Sequence, residues 1–197
     1  MNQLSSKLFI YVIIIFSAII HEYFHAWAAY IQGDKTAKEQ GRLTLNPIPH
    51  IDPLGTIIIP LILLITAGGF IGWAKPVPFN PYNLKNQKWG RTIVALAGPF
   101  SNLFIALALG LLIRISIFPL LIIPFSLIAY VNIFLALFNL IPIPPLDGSK
   151  LVFDIFPKWE NVFKRSSWGI ILAIFIGITV LPYLVSWIFF IFTGTPA

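Results

Sequence analysis

Apolar residues gather along this chain in four blocks, at residues 8–31, 91–113, 116–141 and 167–192. Each block is long enough for the roughly 20 residues that a helix needs to cross a bilayer. The last is expected to bend at Pro182, because a proline inside a helix removes one backbone donor and crowds the preceding turn. A fifth block, residues 54–72, is interrupted by Pro60 and closes on Gly68-Gly69, so it does not read as a straight crossing. The pattern predicts an all-α polytopic membrane protein with about four transmembrane helices and one re-entrant or broken segment.

Charge decides how the fifth block is used. Lys35, Lys38 and Arg42 precede it, and Lys75, Lys85, Lys88 and Arg91 follow it. Basic residues mark cytoplasmic loops, so both flanks belong on the cytoplasmic side and the block should enter the membrane and return. The N-terminus is then outside, and Lys150, Lys158, Lys164 and Arg165 fall inside. Residues 1–197 read as a single membrane-embedded domain.

Composition narrows the chemistry. The chain is 58% hydrophobic and 10% charged, and its net charge of +6 is spread over short loops. That distribution is an orientation signal and excludes a nucleic-acid surface. Lys7 and Ala26-Trp27-Ala28 outline a secretory leader, but a polar cluster at 21–25 is the wrong end for its apolar core, so the first block reads as a membrane helix. With no cysteine, any metal must be held by His, Asp or Glu.

That polar cluster is His21-Glu22-Tyr23-Phe24-His25. At 3.6 residues per turn the two histidines point only about 40° apart, with Glu22 beside them. HExxH on a helix supplies two zinc ligands and a general base in metalloproteases. Here the motif lies inside an apolar span, on the order of 10 Å from its cytoplasmic end.

Zinc in a catalytic site takes a third protein ligand and leaves a position for water. Asp34, Glu39, Asp154 and Glu160 lie in charged, loop-like or amphipathic stretches and read as solvated. His50, Asp52 and Asp147 remain. Asp147 follows the proline-rich run Ile141-Pro142-Ile143-Pro144-Pro145-Leu146, which ends the preceding helix and frees a carboxylate to turn inward. It equally fits the cap of a short helix starting near Ser149.

HEYFH in a membrane helix, followed much later by Asn139-Leu140-Ile141-Pro142-Ile143-Pro144-Pro145-Leu146-Asp147-Gly148, resembles the site-2 protease family of intramembrane zinc metalloproteases. Ala97-Gly98-Pro99-Phe100-Ser101-Asn102 and the loop Thr44 to Gly55 extend the resemblance, the latter towards a short prokaryotic subgroup. The resemblance implies His21, His25 and Asp147 as Zn2+ ligands and Glu22 as the catalytic base. It also raises Asn139 as a substrate or oxyanion contact, against a helix-packing role. His50 and Asp52 sit in a proline-rich loop and read as fixing that loop, with support of a ligand or contact with substrate as the alternatives.

The expected function is hydrolysis of peptide bonds in or near transmembrane segments of membrane proteins, at the cytoplasmic side of a prokaryotic cell membrane. The lipid bilayer is the working medium. A substrate helix must unwind to expose a carbonyl, and Gly41-Arg42-Leu43-Thr44-Leu45 alternates like an edge strand that could receive it, or is an ordinary loop. Relatives often carry an appended regulatory domain for which this chain has no room, so selection falls to the membrane core or to a separate regulatory partner. The competing function, a membrane zinc or cation transporter, predicts polar ligands strung across the bilayer rather than gathered at one depth.

Overall fold

The structure is a computed structural model that describes residues 3–66, 72–164 and 168–196. Long apolar stretches become helices because only a helix satisfies every backbone donor and acceptor within its own segment in lipid. Helix α1 (Gln3–Ile31) is the first, and the short α2 (Thr36–Glu39) follows it. A 3₁₀ turn at Ile48–His50 leads to a π-helical turn, Pro53–Ile58, that runs directly into α3 (Ile59–Thr66). Then come α4 (Gly90–Arg114), α5 (Ile122–Leu140), α6 (Gly148–Ile155) and α7 (Pro157–Lys164). The chain ends in α8 (Trp168–Thr179) and α9 (Leu181–Thr193).

Helices α1 and α4 and the stretch Pro119–Leu140 are each long and apolar enough to cross a membrane. Helices α8 and α9 pass the same test together as a pair bent by 51°. Pro182 sits in the first turn of α9, where its missing N–H costs least, so the chain breaks two residues earlier, at Val180. The protein is a multi-pass, all-α membrane protein.

The fifth apolar block returns to where it entered. The Trp73 N–H donates to Gly55 O at 3.0 Å, the Thr56 hydroxyl donates to Trp73 O at 2.8 Å, and the Lys75 N–H donates to His50 O at 2.9 Å. Entry and exit therefore lie side by side, and Pro53–Thr66 is too short to span. Gly68-Gly69 lies outside the described residues. From Trp73 the chain runs without helix to Asn80, passing the HExxH motif.

Helix α4 is the centre of the bundle and packs against α1, α5, α6 and α9. Its buried positions include Thr92, Ala95, Gly98, Asn102, Ala106 and Gly110, small side chains on one face that let neighbouring backbones come close. Phe100 and Phe104 on the other face are exposed to the surroundings. Ala106, Ala129, Ile133, Val185 and Phe189 close the core between α4, α5 and α9.

Two expectations fail. Among the described residues there is no strand, and residues 41–45 form a turn and bends. Gly41 takes a left-handed φ of +67° after α2, and Arg42 is buried with its guanidinium donating to Lys75 O at 2.8 Å, which bends the alternating segment inward. The acids read as solvated are also mostly engaged, Glu39 alone being exposed. Asp34 is 1% exposed and accepts from Thr36, Asn80 and Asn83. Asp154 accepts from the Thr92 N–H and hydroxyl at the start of α4 and pairs with Arg91 at 2.7 Å, while Glu160 takes the other side of that guanidinium.

Candidate metal centre

Helices α1 and α4 run antiparallel and meet through residues spaced by four. On α1 these are Ser17, His21 and His25; on α4 they are Val94, Gly98 and Asn102. Four residues is just over one turn, so each set forms one stripe. His21 Nδ1 donates to Asn102 Oδ1 at 2.7 Å, and His25 Nδ1 donates to Val94 O at 2.7 Å. A backbone carbonyl can only accept, so His25 carries its proton on Nδ1. Asn102 Nδ2 is spent on Asn132 Oδ1 at 2.8 Å and on Ser17 O at 3.3 Å, which leaves Oδ1 for His21 and gives that ring the same tautomer.

With both rings neutral, this tautomer leaves the two Nε2 atoms as lone pairs, and both face one oxygen. Asp147 Oδ2 lies 3.1 Å from His21 Nε2 and 3.2 Å from His25 Nε2. In that neutral state three acceptors meet at hydrogen-bond distance, and a cation among them relieves their repulsion. In a tetrahedral zinc site with bonds of about 2.0–2.1 Å, ligand atoms stand about 3.3 Å apart, so this donor set fits zinc closely. The imidazoles are held by their far nitrogens, the arrangement that fixes ring orientation in metal centres generally.

Asp147 reaches the site because α5 stops at Leu140 and the proline-rich turn carries the chain back. It occupies the position before α6, yet its side chain caps nothing there. Of the two roles its spacing allowed, the carboxylate takes the one facing the histidines. Gly148 is required by the same turn: a Cβ would sit 2.2 Å from Leu140 O. Gly98 is required by the close approach of α4, since a Cβ there would lie 2.5 Å from His25 Nε2 and 2.6 Å from His21 Nε2.

Glu22 stands beside this cluster, with one ligand atom from each of His21, Glu22 and His25 mutually within 4.8 Å. Its Oε2 accepts from the Val77 N–H at 2.8 Å. Pro76 and Pro78 flank Val77 and have no N–H, so this short stretch offers the carboxylate a single backbone donor.

The remaining candidates take other places. Asp52 Oδ1 accepts from Leu54 N–H at 3.0 Å and Gly55 N–H at 2.7 Å and caps the π-helical turn. His50 is buried, with Nε2 donating to Thr44 O at 2.9 Å and its carbonyl holding Lys75. These contacts tie the loop to the returning segment; none joins either residue to His21, His25 or Asp147. Asn139 Nδ2 donates to Leu135 O one turn back at 2.9 Å, inside α5. Asn102, Asn132, Ser17 and Val94 escaped the sequence reading. A signal for Asn102 was present, since it lies one turn after Gly98 in a motif already noticed.

The family model for peptidase family M50 matches residues 9–122 and 115–182. The chain is 38% identical over 196 residues to "Putative zinc metalloprotease YwhC" of Bacillus subtilis, covering 93% of this chain and 86% of that protein. It is 32% identical over 179 residues to the similarly named Rip2 of Mycolicibacterium smegmatis, covering 88% and 67%. The similarly named MJ0611 of Methanocaldococcus jannaschii is 34% identical over 113 residues, 54% of this chain and 52% of its own. No solved structure gives a significant match.

Proposed function

The chain belongs to peptidase family M50 and is an intramembrane zinc metalloprotease, and on that premise we propose that His21, His25 and Asp147 hold the zinc while Glu22 is the general base. The observation that carries the assignment is the convergence of the two imidazole Nε2 atoms on one Asp147 oxygen, at 3.1 and 3.2 Å, with each Nδ1 engaged by an acceptor on α4. When bound, zinc supplies Lewis acidity that polarises a peptide carbonyl and brings the pKa of water down to about 7. Glu22 takes a proton from the attacking water and returns it to the departing amine. The Val77 N–H holds one of its oxygens and so aims the other. Asn139 has one amide N–H left over from its bond to Leu135 O, and this can meet the substrate carbonyl.

The substrate is a membrane protein with the scissile bond in or near a transmembrane segment, locally unwound. The active site lies towards the cytoplasmic side of a prokaryotic cell membrane, and residues 1–197 act as one membrane-embedded metalloprotease domain. A transport path would need ligands at several depths, whereas the three proposed ligands meet at one oxygen.

Zinc analysis combined with cleavage of a model transmembrane substrate tests the assignment. Glu22→Gln should keep near-stoichiometric zinc and lose cleavage; Asp147→Ala should lose both. Parental cleavage by Glu22→Gln, or unchanged zinc in Asp147→Ala, overturns it.

A further inference from the structure

We propose that Asn132, on α5 and remote from the reacting atoms, is a positioning residue that sets the tautomer of His21. The proposal rests on the reading of His21 as a zinc ligand. Ser17, Asn102 and Asn132 are 4%, 0% and 1% exposed, and together they form one hydrogen-bonded chain across α1, α4 and α5. Its direction is fixed from the far end. Asn132 Nδ2 spends both hydrogens, on Ile128 O at 2.8 Å and on Ser17 Oγ at 3.0 Å. The Asn132 amide therefore cannot turn over, and Oδ1 must face Asn102. Asn102 answers with Nδ2, which turns its own Oδ1 to His21 Nδ1.

The two zinc-side histidines differ in this respect. His25 is anchored by the backbone carbonyl of Val94, which has a single polarity and no means of flipping. His21 is anchored by a side-chain amide, which offers an acceptor or a donor according to which way it is turned. With the amide reversed, His21 Nδ1 would accept and its proton would move to Nε2, the atom that must be bare to bind metal. Ser17 O, at 3.3 Å from Asn102 Nδ2, is too long a contact to hold the amide firmly by itself. Asn132 is what makes His21 equivalent to His25.

The test uses the full chain in detergent and zinc ion as the only probe. Asn132→Leu removes the acceptor at similar volume, and Asn132→Asp restores it, because a carboxyl group in either protonation state accepts from Asn102 Nδ2. Zinc affinity should fall on the order of 10–100-fold in Asn132→Leu, the usual effect of removing an outer partner of a ligand, and stay near the parental value in Asn132→Asp. The 15N spectrum of His21 in the zinc-free parent should show the proton on Nδ1. Parental affinity in a folded Asn132→Leu, equal weakening of both variants, or a zinc-free parent whose His21 carries no proton on Nδ1 overturns the proposal. Should Asn132→Leu fail to fold, the parental 15N spectrum alone decides. A parent that binds no zinc refutes the metal site itself, while the tautomer measurement still judges Asn132.

Discussion

Replacing Gly98 by alanine puts one methyl group against the metal centre from the α4 side. The carbon would lie 2.5 Å from His25 Nε2, 2.6 Å from His21 Nε2 and 2.6 Å from His25 Cε1. Ordinary contact begins at about 3.5 Å, so the imidazoles and α4 must separate by roughly 1 Å. Metal sites tolerate displacements of only about 0.2 Å in ligand distance, several times less. Neither ring can retreat alone, because each is tied through Nδ1 to the same helix, at Asn102 and Val94. Relief must come from α1 and α4 moving apart, which takes both histidines away from Asp147. The fold should survive: overpacking costs about 1–3 kcal/mol, and alanine in place of glycine in a helix returns up to about 1 kcal/mol. Zinc affinity should drop by about 100-fold or more, beyond the effect of losing an outer partner, and cleavage should fall with it. Zinc content by elemental analysis, peptidase assay and thermal unfolding in detergent would be measured on the same preparation. Stoichiometric zinc with parental cleavage in Gly98→Ala would refute the described contact between α4 and the histidines.

Asp34 should give the loop after α1 an acid-sensitive component. Burial pushes its pKa up, but hydrogen bonds from Thr36, Asn83 and Asn80 outweigh burial and hold it below the ordinary value of about 3.9. A depressed folded pKa stabilises the native state above the unfolded value, and that contribution is lost as pH falls below about 3.9 through the folded pKa. Unfolding followed from pH 7 into this range should show a shallower acid-induced loss in Asp34→Asn than in the parent; identical slopes would remove Asp34 from the account. For topology, Tyr82 is 87% exposed at the end of the bundle that carries Asp34, so Tyr82→Cys should react with a thiol reagent added from the cytoplasm. Labelling from the opposite face only would reverse the proposed orientation.

The sequence alone determined the membrane architecture, because in lipid an apolar run of sufficient length has no alternative to a helix. Charge on both flanks led to the expectation that the 54–72 block re-enters, and the bonds joining Gly55 to Trp73 and His50 to Lys75 hold its two flanks together. The four-residue spacing of His21 and His25 put both imidazoles on one stripe, which is local geometry. Tertiary structure decided the rest. Asp147 could have capped α6 or faced the histidines, and the choice depends on a contact 126 positions away. Asp34 looked solvated in its loop and Asp154 on its amphipathic stretch, yet some of their donors come from 46 to 63 residues distant. The alternation at 41–45 resembled a strand until Arg42 found Lys75 O, 33 residues on. The polarity that frees His21 Nε2 is furthest from view. It passes from Asn132 through Asn102, two amides on different helices, and the direction of a hydrogen bond leaves no trace in periodicity or spacing.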